Sequence, residues 1–330
     1  MAQTSNVLIK GLEILSGDPV MKSAIANFRP QVIYTDSLLY SWQLKFQEFV
    51  MRYSIPTIVH LRGDLWREFF GWLRGSTLRA RALRSPTYFE SWLGLALADK
   101  VTPICRWLQR ETQRHFPSKP SQVVYQGVDP REFFPVHGLH LHHPAVAIIQ
   151  NHTVYQKTLG LLEFTHVVEK LPNVHFYITT GESVKQTYFP LVQAAFLRFK
   201  NVHFLRGIGY PDGVRRLLTS SDLYVLPSGL DCCPTTVLEA SLMRKPVIGS
   251  RVGGIPEIIL DGVTGWSVPN EDPDGWIDRI TTILEDSKLS KQLGSQGRRW
   301  AAKNFGWAVI ASQVEQLINE AAEGRLRQVS

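Results

Sequence analysis

Along this chain, short apolar runs of β-forming residues alternate with longer segments in which apolar residues recur at helical spacing. Pro30 to Thr35 reads as a strand after a helical run ending near Phe28. Leu38 to Arg52 carries the helical pattern, and Pro56 to Leu61 reads as a second buried strand. Ala145 to Gln150, Val174 to Thr179 and Leu223 to Leu226 repeat the strand pattern, and a helix is predicted over Trp276 to Leu284. Asp272 and Pro273 suit the cap and first position of that helix, so Asp272-Pro273-Asp274 reads as a helix start and not as a metal site. This βαβ rhythm predicts parallel sheets with ligands at the carboxyl ends of their strands. A chain of 330 residues is long for one such domain and comfortable for two.

The stretch from Ser221 to Trp266 adds chemistry to the pattern. The run Leu223 to Leu226 is stopped by Pro227-Ser228-Gly229, and a helix is expected with Pro234 at its first position. The first backbone N–H groups of such a helix have no intrahelical partners and lie at the positive end of its dipole, a natural seat for phosphate. Glu239, three residues beyond Thr236, is on the same helical face about one turn deeper. The two oxygens of a carboxylate can be shared by vicinal hydroxyls, so Glu239 suits a ribose diol, while Asp231 in the loop faces whatever lies beyond the phosphates. Each residue taken alone also fits an ordinary helix acid or turn former.

PSGLDCCPTTVLEA followed by KPVIGSRVGGIPEIILDGVTGW resembles the donor-binding segment of the family-4 retaining glycosyltransferases. That family has two acids separated by seven residues, then PVI, GG-x-PE and a G-x-T-G turn. The resemblance implies the GT-B fold: α/β, with two Rossmann-like doubly wound domains facing each other across a cleft. It implies that Asp231, at a position normally Glu, approaches the donor sugar, that Glu239 holds the ribose, and that amides over Cys233, Pro234, Thr235, Thr236 and Val237 hold sugar and diphosphate. Lys157 stands at the Lys of the family's Lys-Gly and inherits its phosphate role. The preceding Gly-Arg is replaced by Asn151-His152, where a protonated His152 could substitute. Gly207 ends the strand whose following loop lies against the nucleobase, and Tyr210 could stack there or be a plain surface aromatic.

In the first half, Arg62-Gly63-Asp64 resembles the family's Arg-Gly-x-Asp motif without its spacer, which makes Arg62 and Asp64, with Asp231, catalytic candidates and places Gly63 on the donor side. The same tripeptide fits a tight turn, and His60 just before it reads as a core histidine. Ala98 to Ile104, with Cys105 at the usual Ser, and Val123 to Asp129 with Phe134-Pro135 resemble the segments that close the family's first domain. Residues 1–136 are thus expected to be the acceptor-side domain, 137–304 the nucleotide-sugar domain, and 305–330 a helix that packs back on the first. The implied activity is transfer of a hexose-type sugar, with retention, from a nucleoside diphosphate sugar to a hydroxyl of a glycan or lipid-linked acceptor, with no metal or other cofactor. The altered Asp231 and the missing Arg motivate an alternative, a non-catalytic subunit of the same fold that acts through a partner or membrane.

Composition bounds the remaining classes. At 44% hydrophobic and 20% charged residues the chain is ordinary for a globular protein, and it lacks the roughly 18 apolar residues of a membrane span. The N-terminus lacks the features of a signal peptide, so a cytoplasmic location is expected. Cys105, Cys232 and Cys233 offer neither a disulfide framework nor metal spacing. The tract His137 to Pro144 reads as a solvated linker without an acidic or cysteine partner.

The net charge of +7 is uneven: residues 1–137 hold 17 Lys or Arg against 11 Asp or Glu, and residues 138–330 hold 19 against 18. Within 61–84, six arginines stand among Trp66, Phe69, Phe70 and Trp72, a composition suited to an anionic membrane surface and equally to an amphipathic helix with its aromatics in the core. Peripheral attachment to the inner face of a membrane follows from the first reading. Clustered lysines with stacking motifs are scarce, which argues against nucleic acid as a partner.

Overall fold

The structure is a computed structural model that describes residues 30–36, 55–63, 91–180 and 187–329. The helices expected before Phe28 and over Leu38 to Arg52, the catalytic candidate Asp64, and residues 64–84 of the arginine-rich stretch lie outside the described residues. The chain divides into two compact units, Met1–Tyr125 with Ala308–Ser330 and Gln126–Trp307. The sequence places those divisions at 136/137 and 304/305.

In the first unit, β1 (Ile33–Asp36), β2 (Thr57–Leu61) and β3 (Lys100–Pro103) form a parallel sheet in that order. Ile58, Val59, Leu61 and Val101 are buried, as the apolar residues of a parallel sheet are expected to be. Cys105 caps α1 (Arg106–His115), its Sγ accepting from Leu108 N at 3.4 Å. The position thus asks for a small side chain with an acceptor atom at a helix start, a role serine fills as well.

In the second unit six parallel strands run in the order β6-β5-β4-β7-β8-β9. They are β4 (Ala145–Ile149), β5 (His175–Thr180), β6 (Val202–Arg206), β7 (Leu223–Leu226), β8 (Val247–Ser250) and β9 (Gly265–Val268). The intervening helices are α2 (Tyr155–Glu163), α3 (Thr165–Lys170), α4 (Phe189–Phe196), α5 (Asp212–Ser220), α6 (Thr235–Leu242) and α7 (Ile255–Ile258). Then come α8 (Pro273–Glu285), α9 (Ser287–Phe305) and α10 (Trp307–Val329), the last running on into the first unit.

Val146, Ile148, Phe176, Ile178, Leu223 and Val225 alternate along β4, β5 and β7 and share one core with Leu161, Phe164, Trp276 and Ile280 from the helices. Trp276 meets Phe164 edge-on at 5.3 Å and satisfies its indole N–H on Pro269 O at 2.9 Å. Asp272 caps α8 as its sequence predicts, accepting from Gly275 N at 2.9 Å. Pro234, by contrast, is the N-cap of α6 and not its first helical residue, with extended backbone at φ −66° and ψ 117°.

His137, His140, His142 and His143 are exposed, as the solvated reading of the tract expects, but the tract does have an acidic partner. His143 Nδ1 lies 2.7 Å from Asp222 Oδ2, an acidic partner 79 residues away, and His142 N donates to the Tyr177 hydroxyl at 2.7 Å. The His142 ring packs 5.1 Å from His175 and 5.8 Å from His203, so the tract is fastened along β5 and β6.

Candidate functional site

β4 and β7 are neighbours at the middle of the six-stranded sheet, with β5 and β6 on one side and β8 and β9 on the other. The chain leaves these two central strands toward opposite halves of the sheet, which opens a crevice at their carboxyl ends. The connections after them are in backbone contact. A Cβ at Gly160 would collide with the backbone of Ser228, a Cβ at Gly229 would collide with Gln156 O, and Gly229 N donates to Lys157 O at 3.3 Å. Only glycine at both positions permits that approach.

Its result is that Lys157 Nζ, from α2, lies 3.0 Å from Asp231 Oδ2, in the loop after β7. The two side chains are 28% and 13% exposed, so the pair is shielded yet reachable. Asp231 is held from behind. Its Oδ1 accepts from Cys232 N at 2.9 Å and its carbonyl accepts from Gly254 N at 3.0 Å. Gly253 has φ +55°, and a Cβ there would collide with Asp231 O, which explains the first glycine of the pair in VGGIPE. Ser228 N donates to Ser250 Oγ at 2.8 Å and Asn270 Nδ2 to Ser228 O at 3.1 Å, which fixes the start of the same loop.

The start of α6 follows. Its N-cap makes no side-chain capping bond, and the Tyr224 hydroxyl donates to Thr236 Oγ1 at 2.7 Å. Thr235 and Thr236 are half-buried, whereas Cys232, Cys233, Pro234 and Val237 are buried. Two members of the expected amide set do not offer an amide: Pro234 has no N–H, and Val237 N already donates to Pro234 O at 3.2 Å.

Glu239, one turn into α6, is 2% exposed. Its Oε1 accepts from the Tyr210 hydroxyl at 3.2 Å, and Oε2 has no partner that meets hydrogen-bond geometry. Burial pushes its carboxyl from the ordinary 4.5 up to about 7, with Glu132 adding to the rise and the Tyr210 and Thr235 hydroxyls opposing it. Tyr210 sits in the loop that begins at Gly207, whose φ is +62°. Its residue is 63% exposed and its ring packs on Phe133 at 6.1 Å, while its hydroxyl end reaches the Glu239 carboxylate on α6.

His152 cannot replace the missing arginine at neutral pH. It is fully buried against Phe189 with Nε2 3.3 Å from Thr179 O, and burial drives its imidazole down to about 4. Arg62 and Gly63 belong to the first unit, half-buried directly after β2. His60 is half-buried, its Nδ1 3.2 Å from Thr102 Oγ1 and its ring stacked on Tyr34 at 5.9 Å, as a structural histidine would be. Among the described residues no group of three or more His, Cys, Asp or Glu is arranged to hold a metal ion, and no helix is long and apolar enough to cross a membrane. Sequence reasoning pairs neither Lys157 with Asp231 nor Tyr210 with Glu239; the glycines at 160 and 229 are the available signal for the first pairing.

Residues 150–300 match the family described as Glycosyl transferases group 1. N-acetyl-alpha-D-glucosaminyl L-malate synthase of Bacillus anthracis is 27% identical over 68% of this chain and 60% of its own length. D-inositol 3-phosphate glycosyltransferase of Corynebacterium efficiens is 32% identical over 34% of this chain and 26% of its own length. The chain therefore spans less than two thirds of either relative. In fold, sucrose-phosphate synthase from Thermosynechococcus elongatus superposes with a TM-score of 0.74 at 19% identity, over 94% of this chain and 77% of that one. Anabaena HepE, in complex with UDP-glucose, gives 0.71 at 17% identity, over 92% and 81%. The segment from residue 150 to residue 300 is thus a group 1 glycosyltransferase domain, carried in a chain of GT-B fold.

Proposed function

We propose that the chain is a retaining glycosyltransferase that moves a hexose-type sugar from a nucleoside diphosphate sugar to a hydroxyl of a glycan or lipid-linked acceptor. The observation that carries this reading is the meeting of Lys157 and Asp231 at 3.0 Å across the switch point of the sheet, beside the start of α6. A cation and a helix N-terminus suit a diphosphate; Asp231, released from Lys157 when phosphate arrives, suits the hydroxyls of a sugar. Glu239 then takes the ribose, and Arg62 with Asp64 serves the reacting end. In this reading phosphate charge is met by Lys157 and backbone amides, without a metal or other cofactor. HepE was solved with UDP-glucose, which supports a nucleotide sugar as donor.

A melting-temperature panel with UDP-glucose, UDP-N-acetylglucosamine, GDP-mannose and ADP-glucose tests the reading. One of them is expected to raise the melting temperature by several degrees and to release nucleotide when an acceptor is added. No shift with any of the four contradicts the donor site, whereas binding without turnover on glycan and lipid-linked acceptors supports the non-catalytic subunit. The arginine-rich stretch 61–84 is proposed to seat the enzyme on an anionic bilayer at the cytoplasmic face. The chain should sediment with phosphatidylserine vesicles at low salt and be released at high salt; failure to sediment at low salt removes that part of the proposal.

A further inference from the structure

The Glu239 carboxylate is a buried acid of the second unit with only one of its two oxygens hydrogen-bonded. That oxygen is met by a phenol from a separate loop, and the other is left without a hydrogen-bond partner. Tyr210 comes to it from the loop between β6 and α5, 29 residues earlier in the chain. The aromatic ring does not fill the core, since most of the residue is exposed; the contact is made by the hydroxyl. A tyrosine that is mostly exposed, rests one side of its ring on Phe133 and sends its O–H to a buried carboxylate is not explained by core packing alone.

We propose that Tyr210 is a positioning residue for Glu239, its phenol engaging Oε1 so that the carboxylate is held as an acceptor with Oε2 left for the hydroxyls of a bound nucleotide. The inference rests on the donor reading above. A phenol that donates to a carboxylate favours the ionised acid, which has only acceptor sites; the protonated acid would present an O–H of its own to a ligand diol. The other groups around Glu239 do not supply this help in the same measure. Glu132 opposes ionisation, Tyr224 is committed to Thr236, and Thr235 is the one further hydroxyl that favours the charge. With the carboxyl poised near 7, the loss of one donor moves the competent fraction within the physiological range.

The test is the affinity of the nucleotide sugar that gives the largest melting shift, measured by calorimetry from pH 5.5 to 9. Wild type is expected to bind more tightly as pH rises through about 7, as Glu239 ionises. Tyr210→Phe should move that midpoint up by about one pH unit, so that affinity is about fivefold lower at pH 7 and equal to wild type at pH 9. Glu239→Gln should lose the rise altogether. Carbon NMR of the Glu239 carboxyl reads the same midpoint without ligand, and Tyr210→Phe should shift it in the same direction. An unmoved midpoint, an affinity loss that is the same at every pH, or tighter binding by Tyr210→Phe overturns the inference while the donor reading stands. A wild type that binds no nucleotide sugar at any pH overturns the donor reading and the inference with it.

Discussion

Glu239→Ala is expected to lower affinity for the nucleotide sugar by about 100-fold or more, because two charge-assisted hydrogen bonds to a diol at about 1.5–3 kcal/mol each are lost together. Unchanged affinity would contradict the ribose contact. The same residue should cost the fold stability, and the sign follows from its raised carboxyl. Below about 4.5 the group is protonated in both states and contributes nothing. As pH climbs from about 4.5 to about 7 the unfolded chain ionises it while the folded chain resists, so folding weakens across that window. The loss is on the order of 3 kcal/mol. Glu239→Gln, of similar volume and without a charge, should therefore melt above wild type at pH 8 and level with it at pH 4.5 in the absence of ligand. A buried acid that weakens its own fold is the kind of group retained for a site.

Lys157→Ala is the second large effect. Lys157 is the cation the structure brings to the site, and its removal also leaves the part-buried Asp231 carboxylate without that ion partner. Affinity for a nucleoside diphosphate should fall by about 10- to 100-fold, the scale of one or two charge-assisted contacts, while the weak affinity for the bare nucleoside stays level. Equal losses for both ligands would show that the lysine supports the loop and does not meet phosphate.

How much of this is readable in the sequence depends on the reach of the interaction. β7 is found where its apolar run predicts it, and the caps at Asp272 and Cys105 are local: a donor three residues on decides them. Pro234 is displaced by one position from its expected place because an extended N-cap and a first helical residue both tolerate its fixed φ. Resemblance to the family's motifs marks the acids 231 and 239 and the lysine at 157. It does not mark their surroundings, since Tyr210 beside Glu239, Asp222 beside His143 and the burial of His152 are set by packing between distant segments, which no periodicity encodes. The amide count expected at the α6 start is too high by two, because Pro234 has no N–H and the N–H of Val237 is spent on Pro234 O.

Lys157 and Asp231 are separated by 74 positions and arrive from opposite halves of the central sheet. In the proposed reading neither half of that sheet carries both side chains, so a minimal binding module has to run from β4 through α6. A guest that spans the two side chains would act as a clasp, making early and late portions of the domain come apart together and not in sequence.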